Sequence, residues 1–250
     1  MPLSKRTLIV IGASTAAVVL IALGVWFFVF RDSGTAIPES GEGETMTFEI
    51  TAEDMVRGNP DAPITVIEYA SMTCGHCAAF EVNTLPKIDE NYINKGHVRW
   101  VFRDFPLDSI ALAGSVVAHC LPKDQFFGYV DLLYRDLFTR RKEAWAFNEN
   151  PKEGLIEISR RAGLTREQVE ACLANQDLIT LVRKNAETGN QRYGVNSTPS
   201  FFINGQKITG SRPYEDFEAI FKPLLPEGTA PAPEPAPEST PAEEPAPATP

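Results

Sequence analysis

Cys74 and Cys77 stand two residues apart, with Gly75 and His76 between them. Three chemistries use such a pair: metal ligation, a structural crosslink and dithiol–disulfide exchange. A closed zinc site needs four ligands, commonly two cysteine pairs or a cysteine pair with a histidine pair. Here Cys120 and Cys172 are isolated, and His76, His97 and His119 form no paired spacing, so no metal is expected. A crosslink over two residues closes a tiny loop and constrains little. Redox exchange remains, and a CxxC beside a βαβ pattern is its sequence cue.

The species that attacks a disulfide is a thiolate, whereas a free cysteine is mostly protonated at neutral pH. Cys74 falls where a helix should begin. Unpaired backbone N–H groups and the helix dipole favour a negative charge there. A protonated His76 would add to that effect; otherwise it is a surface residue of the helix. A lowered Cys74 pKa stabilises the reduced form and makes the couple a better oxidant. Cys77, one turn along and more buried, suits the resolving role. Glu68 lies six residues before Cys74 on an apolar segment. It is either a buried carboxylate that accepts the proton of Cys77 or a strand-end residue turned to water.

The elements that would hold these groups can be read from pattern. Residues 64–70, β-branched and apolar after the Asn59-Pro60-Asp61-Ala62-Pro63 turn, predict a buried strand. Residues 78–94 have helical spacing through Phe80, Leu85, Ile88 and Tyr92, with a kink expected at Pro86. Residues 97–102 predict a second strand, which completes a βαβ unit with the CxxC at the mouth of its helix. Helical periodicity then recurs over 110–120, 125–139, 151–162, 166–173 and 176–193, with Thr165 and Gln168 placed as a capping box. Asn204-Gly205 between apolar flanks predicts a hairpin over 200–208, and residues 214–224 a closing amphipathic helix.

The chain has 250 residues and a formal charge of −10, which argues against a nucleic-acid binder. Four segments are expected. Residues 1–30 hold Lys5-Arg6 and then an uncharged apolar run long enough to span a bilayer as a helix. The positive residues would keep the N-terminus in the cytoplasm and place the remainder outside. An uncleaved single-pass anchor is expected, the alternative being a signal cleaved near Ala22-Leu23-Gly24. Residues 31–45 read as a flexible tether and 46–225 as one domain. Residues 226–250, an Ala/Pro/Glu mix with nine of the twenty prolines, read as a disordered tail.

The ordered set of stretches resembles the thioredoxin superfamily, and more closely the DsbA-like thiol:disulfide oxidoreductases of bacterial envelopes. The stretches are Gly58 to Pro63, Ile67-Glu68-Tyr69, the CxxC, Arg103-Asp104-Phe105-Pro106-Leu107, and Gly194-Val195-Asn196-Ser197-Thr198-Pro199. The likeness covers about residues 47–224. It implies an α/β thioredoxin fold with an all-helical insertion over about 109–190. It also implies a cis bond at Pro199, with the backbone of Thr198 facing the CxxC and pairing with extended client segments. The middle dipeptide Gly75-His76 departs from the Pro-His of the best-known bacterial oxidases and matches eukaryotic disulfide isomerases. Cys120 and Cys172 end two helices of the proposed insertion. A structural disulfide is expected between them, the alternative being two buried thiols. Such a loop would contribute about 4 kcal/mol in the chain-entropy model. His119 beside it is expected on the helix surface.

The resulting expectation is a monomeric disulfide oxidase, membrane-anchored and facing the periplasm, with Cys74, Cys77, His76 and Glu68 catalytic and no cofactor. Its partners would be reduced or unfolded exported proteins and a quinone-linked membrane reoxidase. A reductase or isomerase is the rival within the class, although residues 31–45 are too few for the dimerisation domain that isomerases carry. A non-catalytic client- or metal-binding chaperone is the rival outside it.

Overall fold

The computed structural model describes residues 45–226. The expected apolar anchor, most of the tether and nearly all of the Pro-rich tail lie outside the described residues. Among the described residues no helix is long and apolar enough to cross a membrane.

Five strands form one sheet in the order β1-β3-β2-β4-β5. They are β1 (Met55–Gly58), β2 (Ile64–Ala70), β3 (Val98–Asp104), β4 (Ser200–Ile203) and β5 (Gln206–Thr209). β2 and β3 run parallel in the centre, from Ile64 beside Val98 to Ala70 beside Asp104. The other pairings, β1 with β3, β4 with β2 and β5 with β4, are antiparallel. β2 reads as a continuous apolar run because both of its faces are covered. The expected second strand is real and extends two residues further, to Asp104. β1 was not foreseen. It is a four-residue edge strand whose Met-Val-Arg-Gly sequence does not alternate apolar with polar residues, and only pairing with β3 makes it a strand.

Between β2 and β3 the chain crosses over through α1 (Gly75–Asn83), α2 (Leu85–Ile88) and a π-helical turn over Asp89–Ile93. The break at Thr84 is the kink expected from Pro86, which sits in the first turn of α2 where its missing N–H costs nothing. The helical insertion comprises α3 (Ser109–Cys120), α4 (Lys123–Arg140), α5 (Pro151–Arg161), α6 (Arg166–Leu173) and α7 (Gln176–Tyr193). Asp108, Asn150, Thr165 and Asn175 cap the N-termini of α3, α5, α6 and α7, and Thr165 with Gln168 closes the expected capping box. α8 (Tyr214–Phe221) closes the fold. In the hairpin both Asn204 (φ 45°) and Gly205 (φ 87°) are left-handed, as a tight turn between twisted strands requires.

Strand alternation sorts the core. On one face Ile64, Val66, Trp100 and Phe201 pack with Phe80, Leu85, Phe217 and Phe221 of the α1–α2 and α8 side. On the other, Ile67, Tyr69, Val101 and Phe202 meet Tyr193 and Phe48. Fully burying one such apolar side chain contributes about 1.5–3 kcal/mol. A third cluster joins the CxxC to the insertion: Met72, Cys77 and Phe102 lie with Phe126, Leu133, Tyr134 and Trp145. Gly114 of α3 is part of that junction. A Cβ there would stand 2.9 Å from the Trp145 ring and 3.2 Å from Met72, so only glycine admits this close approach.

Candidate active site

The CxxC loop leaves the C-terminal end of β2 and enters α1. Cys74 is the helix N-cap, with extended backbone angles (φ −80°, ψ 115°), and its carbonyl accepts from the Ala78 N–H as the first helical bond. Its own N–H is held by the Ser71 carbonyl at 3.0 Å. The loop is also tied to the insertion. Thr73 Oγ1 donates to Asp108 Oδ2 at 2.7 Å, while Asp108 Oδ1 accepts from the Ala111 N–H of α3. Ser71 Oγ accepts from the Leu107 N–H.

The two sulfurs differ sharply. Both cysteines are unpaired, Cys74 is 9% exposed and Cys77 is 0% exposed. A hydrogen bond from the Cys77 side chain to Cys74 is the largest influence drawing the Cys74 pKa down to about 5. It overrides burial, and the Thr198 side chain and the backbone N–H groups of Cys77 and His76 assist it. Cys77 moves the other way: burial, then its hydrogen bond to Cys74 and the Cys74 charge, push it well above the ordinary thiol range. His76 is exposed and reaches the site through its backbone N–H.

The loop before β4 faces the dithiol. The Thr198–Pro199 peptide is cis, both residues are buried, and the Thr198 carbonyl lies 3.4 Å from Cys74 Sγ, where it accepts a hydrogen bond from the protonated thiol. Glu68, for which two orientations were open, is buried at 1% exposure on the strand face that α1 covers. Trp100 Nε1 donates to its Oε2 at 3.0 Å, and Oε1 has no hydrogen-bond partner. Burial pushes its pKa up to about 7, against the opposing pull of the Trp100 bond.

Cys120 and Cys172 are joined by a disulfide spanning 52 residues, with Cα atoms 5.9 Å apart, and it ties the end of α3 to the end of α6. The expectation for His119 was wrong. It is buried, and Nε2 lies 2.6 Å from Asp104 Oδ2 at the end of β3. Burial alone would neutralise both groups, yet their mutual attraction wins, holding His119 above and Asp104 below their ordinary values. Helical periodicity could not show this, because the partner lies on a strand fifteen residues earlier.

Sequence reasoning also missed Glu81, Tyr134 and Trp100 around Glu68. Glu81 left one signal: it is a charged residue four positions after Cys77, on the face that buries Cys77, Ala78 and Phe80.

Comparison with known proteins agrees with this geometry. Residues 51–222 match the family model described as Thioredoxin. A Rickettsia bellii protein, named for protein-disulfide oxidoreductase, is 31% identical over 160 residues, 64% of this chain. The chain spans 60% of that protein's own length. Disulfide bond formation protein D of Bacillus subtilis is 28% identical over 178 residues, covering 68% of this chain and 76% of that protein. The crystal structure of Wolbachia pipientis alpha-DsbA1 superposes with a TM-score of 0.63 at 26% identity, covering 70% of this chain and 92% of the other. The chain belongs to the thioredoxin family and, within it, is DsbA-like.

Proposed function

We propose that this protein is a thiol:disulfide oxidoreductase that donates disulfides to exported proteins. The observation that carries the reading is the asymmetry of the dithiol: one sulfur at 9% exposure stable as a thiolate, one fully buried sulfur stable as a thiol. In the oxidised enzyme a client thiolate attacks Cys74 Sγ. The Cys74–Cys77 bond breaks, and Cys77 takes the electron pair and a proton. A second client thiolate then attacks the client sulfur of the mixed disulfide. Cys74 departs as a thiolate that needs no proton. The client has lost two electrons, and Cys74 and Cys77 have gained them.

In this reading Glu68, buried on the strand face under α1 and acting on Cys77 through its charge, gives Cys77 its proton and takes it back on reoxidation. The cis Thr198–Pro199 loop beside Cys74 supports a client segment docked in extended form, by backbone pairing with little sequence choice. The Cys120–Cys172 disulfide holds the insertion in place and takes no part in exchange. The apolar run behind Lys5-Arg6 supports a single-pass inner-membrane anchor with the domain in the periplasm. The alternative is a soluble periplasmic form after cleavage. Reoxidation would fall to a quinone-linked membrane partner.

The test is the reduction potential of the Cys74–Cys77 couple, equilibrated against glutathione buffers. A value between about −180 and −120 mV is expected of a disulfide donor. A value near −270 mV, roughly that of thioredoxin, would overturn the donor reading and make the protein a reductase.

A further inference from the structure

Behind Cys77 lies a second buried carboxyl that the exchange chemistry leaves unused. Glu81 is 6% exposed and follows Cys77 by four residues on α1. That spacing sets it about 40° around and about 6 Å along from Cys77, on the same helix face. The adjoining Phe80 stacks on Trp100 at 5.8 Å, and Trp100 donates to Glu68, so α1 covers the strand face that carries Glu68.

The charges around this pair do not balance. Arg57 of β1 is the cation that acts on both carboxyls, and it is already paired with Asp89 at 3.0 Å. Asp131 of α4 adds a further negative charge toward Glu81 and is itself bonded to Arg135. Glu68 Oε1 and the Tyr134 hydroxyl of α4 are both buried without a hydrogen-bond partner. Two neighbouring buried carboxyls with half a counter-charge cannot both ionise near neutrality. Burial raises Glu68 to about 7, and burial followed by repulsion from Glu68 raises Glu81 to about 8.

We propose that Glu81 is a proton-relay residue acting through Glu68: the two carboxyls hold one proton beneath the active-site helix, and Glu81 exchanges it with solvent at the edge marked by Arg57 and Asp131. This rests on the oxidoreductase reading and on the role of Glu68 within it. When Cys77 attacks a mixed disulfide on Cys74, the Cys74–Cys77 bond forms and the bond from Cys74 to the departing thiol breaks. That thiol leaves with the electron pair. The Cys77 proton passes to the ionised member of the pair, and Glu81 discharges it. In the donating direction the same proton travels inward.

The experiment is single-turnover release of glutathione from the Cys74–glutathione mixed disulfide, followed from pH 5 to 9. The proteins are wild type, Glu68→Gln, Glu81→Gln and the double variant. Glu81→Gln should slow release about tenfold at neutral pH and displace the midpoint of the profile, Glu68→Gln should slow it more, and the double variant should be no slower than Glu68→Gln. A Glu81→Gln profile that coincides with wild type, while Glu68→Gln is displaced, overturns the relay and leaves the Glu68 role standing. Two unchanged profiles remove both. A wild type that never releases glutathione defeats the oxidoreductase reading itself. Should Glu81→Gln fail to fold, Glu81→Asp decides: a displaced midpoint supports the relay and an unchanged one overturns it.

Discussion

The molecule holds two cysteine pairs that share a chemistry and differ in everything around it. Cys74 and Cys77 are three positions apart at a helix start, and the Thr198 carbonyl meets the outer sulfur. Cys120 and Cys172 are 52 positions apart at two helix ends and already joined. A bond across the first pair would close a loop too short to restrain the unfolded chain, so it can be made and broken at little cost to the fold. A bond across the second restrains a long loop, so breaking it costs stability. In the proposed reading, reactivity follows from the asymmetry of the first pair, and a structural role from the span of the second.

Removing either thiol of the first pair is the strongest way to break this comparison. Cys74→Ser should lower client oxidation by at least about a thousandfold, because a hydroxyl cannot serve as the exchanging thiolate. Cys77→Ser should instead trap a client on Cys74, visible as a mass increase in non-reducing spectra. A Cys74→Ser protein that still turns over clients would move the chemistry elsewhere and sink the oxidase reading.

The insertion's other pin should rank next. Replacing His119 with Ala leaves the Asp104 carboxylate buried without its partner, a loss of about 3–5 kcal/mol in urea unfolding. The pH dependence has a definite sign. His119 is raised, so its contribution is complete below the unfolded value of 6.5 and fades as pH rises through the folded value. Asp104 is lowered, so its contribution is present above 3.8 and fades as pH falls through its folded value. Equal stability of wild type and variant at pH 6 would show that the pair does no fastening.

Replacing Cys120 and Cys172 together with Ala should cost somewhat less, about 2–4 kcal/mol. In a domain of this size that lowers Tm by about 5–15 °C. Oxidation of clients well below the new Tm should stay within about twofold of wild type. Lost turnover at unchanged Tm would mean that the second disulfide takes part in exchange.

The smallest effect is a slope. The folded Cys74 pKa is depressed from 9.0 to about 5, so its stabilisation of the reduced protein is complete above 9.0 and lost as pH falls through about 5. Above about pH 5 the reduced site takes up one proton per two electrons, and the reduction potential should fall by about 30 mV per pH unit. Below it the slope should approach about 60 mV per pH unit. A slope near 60 throughout would mean that Cys74 is protonated at neutral pH and that the asymmetry is absent.

Much of the site's outer layer was legible in the residues. The CxxC needs only its own spacing, and the helix it opens is announced by Phe80, Leu85 and Ile88. The capping box at Thr165 and the hairpin at Asn204-Gly205 are local hydrogen-bond and backbone preferences, so a few residues suffice to predict them. The layer beneath was not legible. Glu68 could face either way on its strand until α1 was seen to cover that side. β1 exists because β3 offers it an edge, and His119 turns inward because Asp104 waits across the chain.

By itself the sequence determined the helices, every strand but β1, their order and the candidate CxxC pair, because periodicity, capping and the helix start act over a handful of neighbours. The tertiary structure alone decided which charges are buried together. Glu68 with Glu81, Asp104 with His119 and Cys74 with Thr198 are all brought into one low-dielectric interior from distant or unobvious positions. Their protonation is set by desolvation and by the charges they meet there, and those depend on packing in three dimensions.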